Sequence, residues 1–161
     1  MNDRVATYLN DHLAGSVVAL ELLSHLQRQQ PDTPVGRFAA ELLADIASDR
    51  EQLVALMERL AISRSHPRKA IAWLAEKATE LKLHLDDPTG GALRRLEVLE
   101  VVAPGIEGKR LLWRARAAAA EGSPRLRGPG YPSLEQRARE QRDRVETFRL
   151  EAARAALGSE E

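Results

Sequence analysis

Pro31-Asp32-Thr33-Pro34 decides how this chain is read. Neither proline can sit inside a helix without breaking it. Thr33 carries a hydroxyl suited to capping a helix that starts just after it, and Pro34 fits a first helical position, where no N–H is needed. Upstream, over about 3–30, Val5, Leu9, His12, Ser16, Leu20, Leu23 and Leu26 recur every three or four residues and mark one helical face. Between Val17 and Leu23 apolar character spreads almost all round, which predicts deep burial of the middle of this helix. Downstream, over about 34–61, Phe38, Leu42, Ile46, Leu53, Met57 and Leu60 form a second stripe. Two long amphipathic helices joined by so short a turn are antiparallel neighbours.

The pattern continues outward. A shorter helix is expected over 66–84, with Pro67 in its first turn and Asp86-Asp87-Pro88-Thr89-Gly90-Gly91 closing it. A long segment over about 91–120 is interrupted only at Pro104-Gly105, where a kink or a break is expected. Leu96, Leu99, Ala103 and Ile106 lie along one side of it and Val98, Val101 and Val102 along another, so it is expected to pack on two sides. The run from Gly122 to Pro132 is rich in glycine and proline and reads as a loop. Ser133 and Gln136 then suggest a capping box opening a last helix over 133–157. The expectation is an all-α single domain over 1–161: four long helices in two hairpins, with an extra short helix in the long crossover.

Composition agrees. Apolar residues make up 43% of the chain and aromatic ones only 4%, so the core must come from Leu, Ala, Val and Ile, and the helix formers Ala and Leu dominate. Cysteine is absent, which removes disulfides, thiolate metal sites and cysteine nucleophiles. The N-terminus is polar and no apolar run approaches the ~20 residues of a membrane span, so a soluble, cytoplasmic protein is expected. Charge sums to zero but is uneven: residues 1–108 carry 12 basic and 16 acidic side chains, residues 109–154 carry 12 and 6.

Three strings, Tyr8-Leu-Asn-Asp-His-Leu-Ala-Gly-Ser16, Trp73-Leu-Ala-Glu-Lys77 and Gly105-Ile-Glu-Gly-Lys109 through Leu112-Trp113, resemble a group of uncharacterised bacterial helical-bundle proteins. The architecture is similar to the ferritin-like superfamily. That resemblance implies a four-helix bundle with one long crossover. Better-known members hold two metals through a Glu from each of two helices and Glu-x-x-His from each of the other two. No Glu-x-x-His occurs in this chain, and the nearest string, Glu21-Leu-Leu-Ser-His25, is one residue too long and faces outward.

Polar residues within the apolar stripes are the candidates for function. His12 lies in the stripe of the first helix, Asp49 at the edge of the second stripe on the flank of Glu41 and Asp45, Glu100 in that of the fourth segment and Gln141 in that of the last. Folding the first hairpin about residue 32 brings His12 within about a turn of Asp49. Two readings stand. In one, His12, Asp49 and Glu100 bind a divalent ion such as iron or act as an acid–base pair. In the other, the more usual outcome for a lone histidine, they form a self-satisfied polar network that sets helix register. His25, His66 and His84 read as exposed or near loops. Lys109 and Trp113, four apart, would make a pocket rim or a lysine stem laid over an indole.

No phosphate-binding Gly-rich loop, nucleophile elbow or paired-histidine string is present, so no motif gives a reason to propose an enzyme, and no cofactor is expected. The arginine-rich C-terminal part invites nucleic-acid binding. Acids at i,i+4 spacing, such as Glu135 to Arg139 and Glu140 to Arg144, argue against it. The leading expectation is a non-catalytic protein-interaction module, a homo-oligomer and most simply a dimer, motivated by the two apolar faces of the fourth segment. A metal-handling or oxidase bundle is the alternative.

Overall fold

The computed structural model describes residues 3–65, 91–123, 126–128 and 130–158, together with positions 72 and 76. The helix expected over 66–84, with His66, His84 and most of the Trp73 string, lies outside the described residues. Within them the chain is all-helical, with no strand. Four long helices are described: α1 (Asp3–Gln29), α2 (Pro34–Arg59), α3 (Gly91–Glu121) and α4 (Tyr131–Leu157). Among the described residues no helix is long and apolar enough to cross a membrane.

The turn between α1 and α2 forms as its residues dictate. Thr33 is the N-cap, its Oγ1 accepts the Gly36 N–H at 3.1 Å, and Pro34 opens the helix. The start of α4 differs from expectation. It begins at Tyr131, because Gly130 takes the left-handed conformation (φ 83°) that a glycine adopts without strain, and Pro132 needs no N–H partner in the first turn. Ser133 is therefore inside the helix rather than capping it, and Gln136 donates to Glu140 instead. α3 runs through Pro104 as one helix.

Two apolar clusters fill the interior. One joins Leu22, Leu23 and Leu26 of α1 to Phe38, Leu42 and Ile46 of α2, to Val98, Leu99, Val102 and Ile106 of α3 and to Val145 of α4. The other joins Leu9 and Leu13 to Leu53 and Met57, to Leu112 and Trp113, and to Tyr131. Reading the numbers across each cluster gives the directions: α1 runs antiparallel to α2 and α3, and α4 antiparallel to α2 and α3. α2 therefore ends and α3 begins at opposite ends of the bundle. α1 pairs most extensively with α2 and α3 with α4, while α1–α3 and α2–α4 form a thinner seam between the two hairpins. The all-round burial expected for Val17 to Leu23 is not found. Val17 is 40% exposed, because among the described residues α1 packs on α2 and α3, and Val17 faces neither.

Candidate functional site

A polar layer separates the two clusters. Asp49 lies on α2 between Ile46 and Leu53, and Lys109 on α3 between Ile106 and Leu112. Gln141 of α4 completes the layer. Lys109 Nζ donates to Asp49 Oδ2 and to Gln141 Oε1, and Gln141 Nε2 donates to Asp49 Oδ2 at 2.9 Å. Arg137 Nε lies 3.2 Å from Asp49 Oδ1 without an aligned hydrogen bond. Asp49 and Gln141 are fully buried and Lys109 nearly so. Burial pulls the Lys109 ammonium below its ordinary pKa, and the charge and hydrogen bond of Asp49 oppose that shift. Three α4 arginine contacts continue the layer along α2: Arg137 donates to the Asp45 carbonyl at 3.0 Å, and Arg144 pairs with Asp45 and, at 3.8 Å, with Glu41. The acid flank of α2 is thus an inter-helix charge ladder.

Beside this layer, between α1, α2 and α3, opens a cleft of about 390 Å³. It exists because side chains are missing from facing helices. Gly15 of α1 and Gly105 and Gly108 of α3 all line it, and a Cβ added at Gly15 or Gly105 would meet nothing within 4 Å. Each mid-helix glycine costs about 1 kcal/mol of helix stability relative to alanine, so the open space is bought at a cost. Tyr8, His12, Ile46, Leu53, Leu112 and Trp113 make the walls largely apolar, with Asp49, Lys109 and Arg50 as charged groups within them and Asp11 beside His12.

His12 sits in this cleft with its ring edge-on to Tyr8, centroids 4.8 Å apart, and its Cε1 against Gly108. Burial lowers its pKa from the ordinary value, against the opposing charge of Asp11. The folded state therefore favours neutral His12, and the unfolded chain binds the extra proton. Stability from this site is present above about pH 6.5 and falls as pH drops below it. His12→Gln is expected to flatten that acid limb in urea-unfolding measurements between about pH 7 and 5. An unchanged limb would exclude His12 as its source.

The structure brings His12, Asp49 and Lys109 to one cleft, with Gln141 behind Lys109. Glu100 is not among them. Its side chain is 53% exposed and pairs with Arg149 at 3.3 Å. α3 buries Leu96, Val98, Leu99, Val102 and Ile106; one residue is a 100° step round a helix, and Glu100 falls on the outer side. Among the described residues no three His, Asp or Glu side chains converge as a metal site requires. His25 is half-buried rather than exposed. Lys109 reaches Asp49 and Gln141 instead of lying along the Trp113 indole.

One group escaped notice in the sequence. No motif or apolar stripe singles out Arg50, yet it lines the cleft with a buried Nε that has no hydrogen-bond partner, and it has no ion-pair partner among the described residues. The Trp113 Nε1 is also buried and unpartnered. The cleft lining balances two carboxylates, Asp11 and Asp49, against two cations, Arg50 and Lys109, and what it holds in excess is unused donors. Compared with known proteins, the chain matches no family model, no curated protein and no solved structure.

Proposed function

We propose that this chain is a ferritin-like helical bundle that binds a small, largely apolar molecule, through an anionic or otherwise hydrogen-bond-accepting head, in the cleft between α1 and α3. The observation that carries this reading is the pairing of an apolar cleft with buried donors left unused, Arg50 Nε and Trp113 Nε1. Buried donors are normally satisfied, and orphans lining a cavity mark where an acceptor belongs. The cleft is also in the size range of pockets that enclose small ligands. The ferritin-like reading rests on the two hairpins and on the single long connection between the end of α2 and the start of α3.

The metal-handling alternative is less well supported, because Glu100 lies outside the cleft and the ligands that remain, His12 and Asp49, are joined there by cations. The interaction-module reading rested on two apolar faces of α3, and α3 packs on both α1 and α4 within one chain. Leu93, Val101 and Leu111 remain exposed on it, single side chains spread over about 27 Å of helix, as on ordinary surfaces.

The test is titration with a naphthalene sulfonate fluorophore, followed by displacement with straight-chain carboxylates. Arg50→Met should weaken binding roughly tenfold or more, the loss of one charge-assisted hydrogen bond. Gly105→Leu should block the cleft while the fold persists. Unchanged affinity in both variants would remove the cleft as the site.

A further inference from the structure

A second anomaly lies at the end of the bundle, behind the cleft. Arg116 of α3 is only 4% exposed, yet its Nε and Nη2 are buried with no hydrogen-bond partner and no carboxylate pairs with it among the described residues. Arginine stays protonated in proteins, so this is a buried positive charge. Among the described residues its aromatic contact is the Tyr131 ring, 5.9 Å from the guanidinium carbon to the ring centroid. A cation–π contact of this kind offsets only part of what burial of an unpaired ion costs. Among the described residues no counter-ion stands beside it.

A second arginine converges on the same ring. Arg59, at the last turn of α2, donates from Nη2 to Tyr131 Oη at 3.4 Å, while that hydroxyl donates to the Leu126 carbonyl at 3.1 Å. Arg59 has no acidic partner among the described residues. Gly128 closes in from the loop before α4. A Cβ there would lie 2.5 Å from Tyr131 Oη and 2.7 Å from Arg59 Nη2, so any larger residue would have to push these side-chain ends aside. Helix ends from α2 and α4 and the body of α3 thus bring two guanidinium groups to one tyrosine with no carboxylate between them. The Trp113 ring stacks on Tyr131 at 6.1 Å, and none of Arg59, Arg116 and Tyr131 lines the cleft, so the two sites are separate.

We infer that Arg59, Arg116 and Tyr131 form an oxyanion site that takes a phosphoryl group. A guanidinium fork matches two oxygens of such a group at once, and a tetrahedral oxyanion offers enough acceptors for both arginines. Free phosphate and a phosphate monoester share this chemistry.

The experiment is calorimetric titration of the full chain with inorganic phosphate and, separately, with a nucleoside monophosphate, in chloride at matched ionic strength, with thermal unfolding alongside. Saturable phosphate binding is expected, with a ligand-dependent rise in Tm. Arg116→Met and Arg59→Met should each weaken it at least tenfold. Tighter binding of the monoester would identify the ligand as a phosphorylated small molecule, and equal binding would identify the free ion. If Arg116→Met does not fold, the solvent-facing Arg59→Met decides alone. No binding of either compound by the wild-type chain up to about 10 mM, or unchanged affinity in the variants, overturns the site. Cleft binding of the sulfonate fluorophore is unaffected by either result, so the two readings fail independently.

Discussion

Asp49→Ala lowers the free energy of unfolding by about 3–5 kcal/mol. The substitution removes the carboxylate that receives Lys109 and Gln141 and that faces Arg137. Lys109 stays buried in the bundle with its counter-charge gone, and Gln141 Nε2 loses its acceptor. Against a total stability of about 5–15 kcal/mol for a domain of this kind, that loss is close to unfolding. Urea denaturation measures it as a lower midpoint at unchanged slope. The double variant Asp49→Leu with Lys109→Met removes both charges and fills the same layer, and it should recover most of the loss, because an ion pair exchanged whole for apolar side chains costs little. A cost for Asp49→Ala no larger than that of a surface substitution would show that the layer is hydrated and the pair is not what holds α2 to α3.

Gly36→Ala has the next largest effect, about 3 kcal/mol at the upper end of overpacking costs, which is roughly 6–12 °C in Tm for a chain of this size. The turn between α1 and α2 is wound so tightly that the Gln30 carbonyl oxygen lies 1.7 Å from where a Cβ at residue 36 would stand. That oxygen also accepts from the Thr33 hydroxyl and backbone N–H, so it cannot retreat without breaking the cap. Gly105→Ala is the matched control. Its Cβ meets nothing, and it should raise stability by up to about 1 kcal/mol through helix preference alone. Thermal scans in which both substitutions shift Tm in the same direction would contradict this account of the turn.

What could be read in the sequence is what local chemistry controls. The proline–threonine turn specified the first hairpin because capping and fixed φ act within four residues. His12, Asp49 and Gln141 stood out because a polar side chain in an apolar stripe is visible without knowing its partner. The partners were not visible. Lys109 meets Asp49 across 60 positions of chain, and helical spacing says which face a residue is on, not what stands opposite. Glu100 was misplaced for a related reason: a helix apolar on two sides leaves its outer line ambiguous until both neighbours are known. Arg116 did carry a signal. It follows Lys109, Leu112 and Trp113 at three- and four-residue steps and so shares their buried side. The start of α4 was misjudged because Gly130 caps through backbone conformation rather than a side chain that spells itself out.

The two hairpins have a kinetic meaning. Contacts within α1–α2 and within α3–α4 connect residues near one another in the chain, so each half can assemble quickly and by itself, while the seam closes only when the halves dock. The cleft belongs to that last event, since its walls α1 and α3 come from different halves. A molecule lodged there acts as a clasp across the slowest-forming boundary, and its occupancy would be felt first as slower opening of the halves rather than as a change in either one.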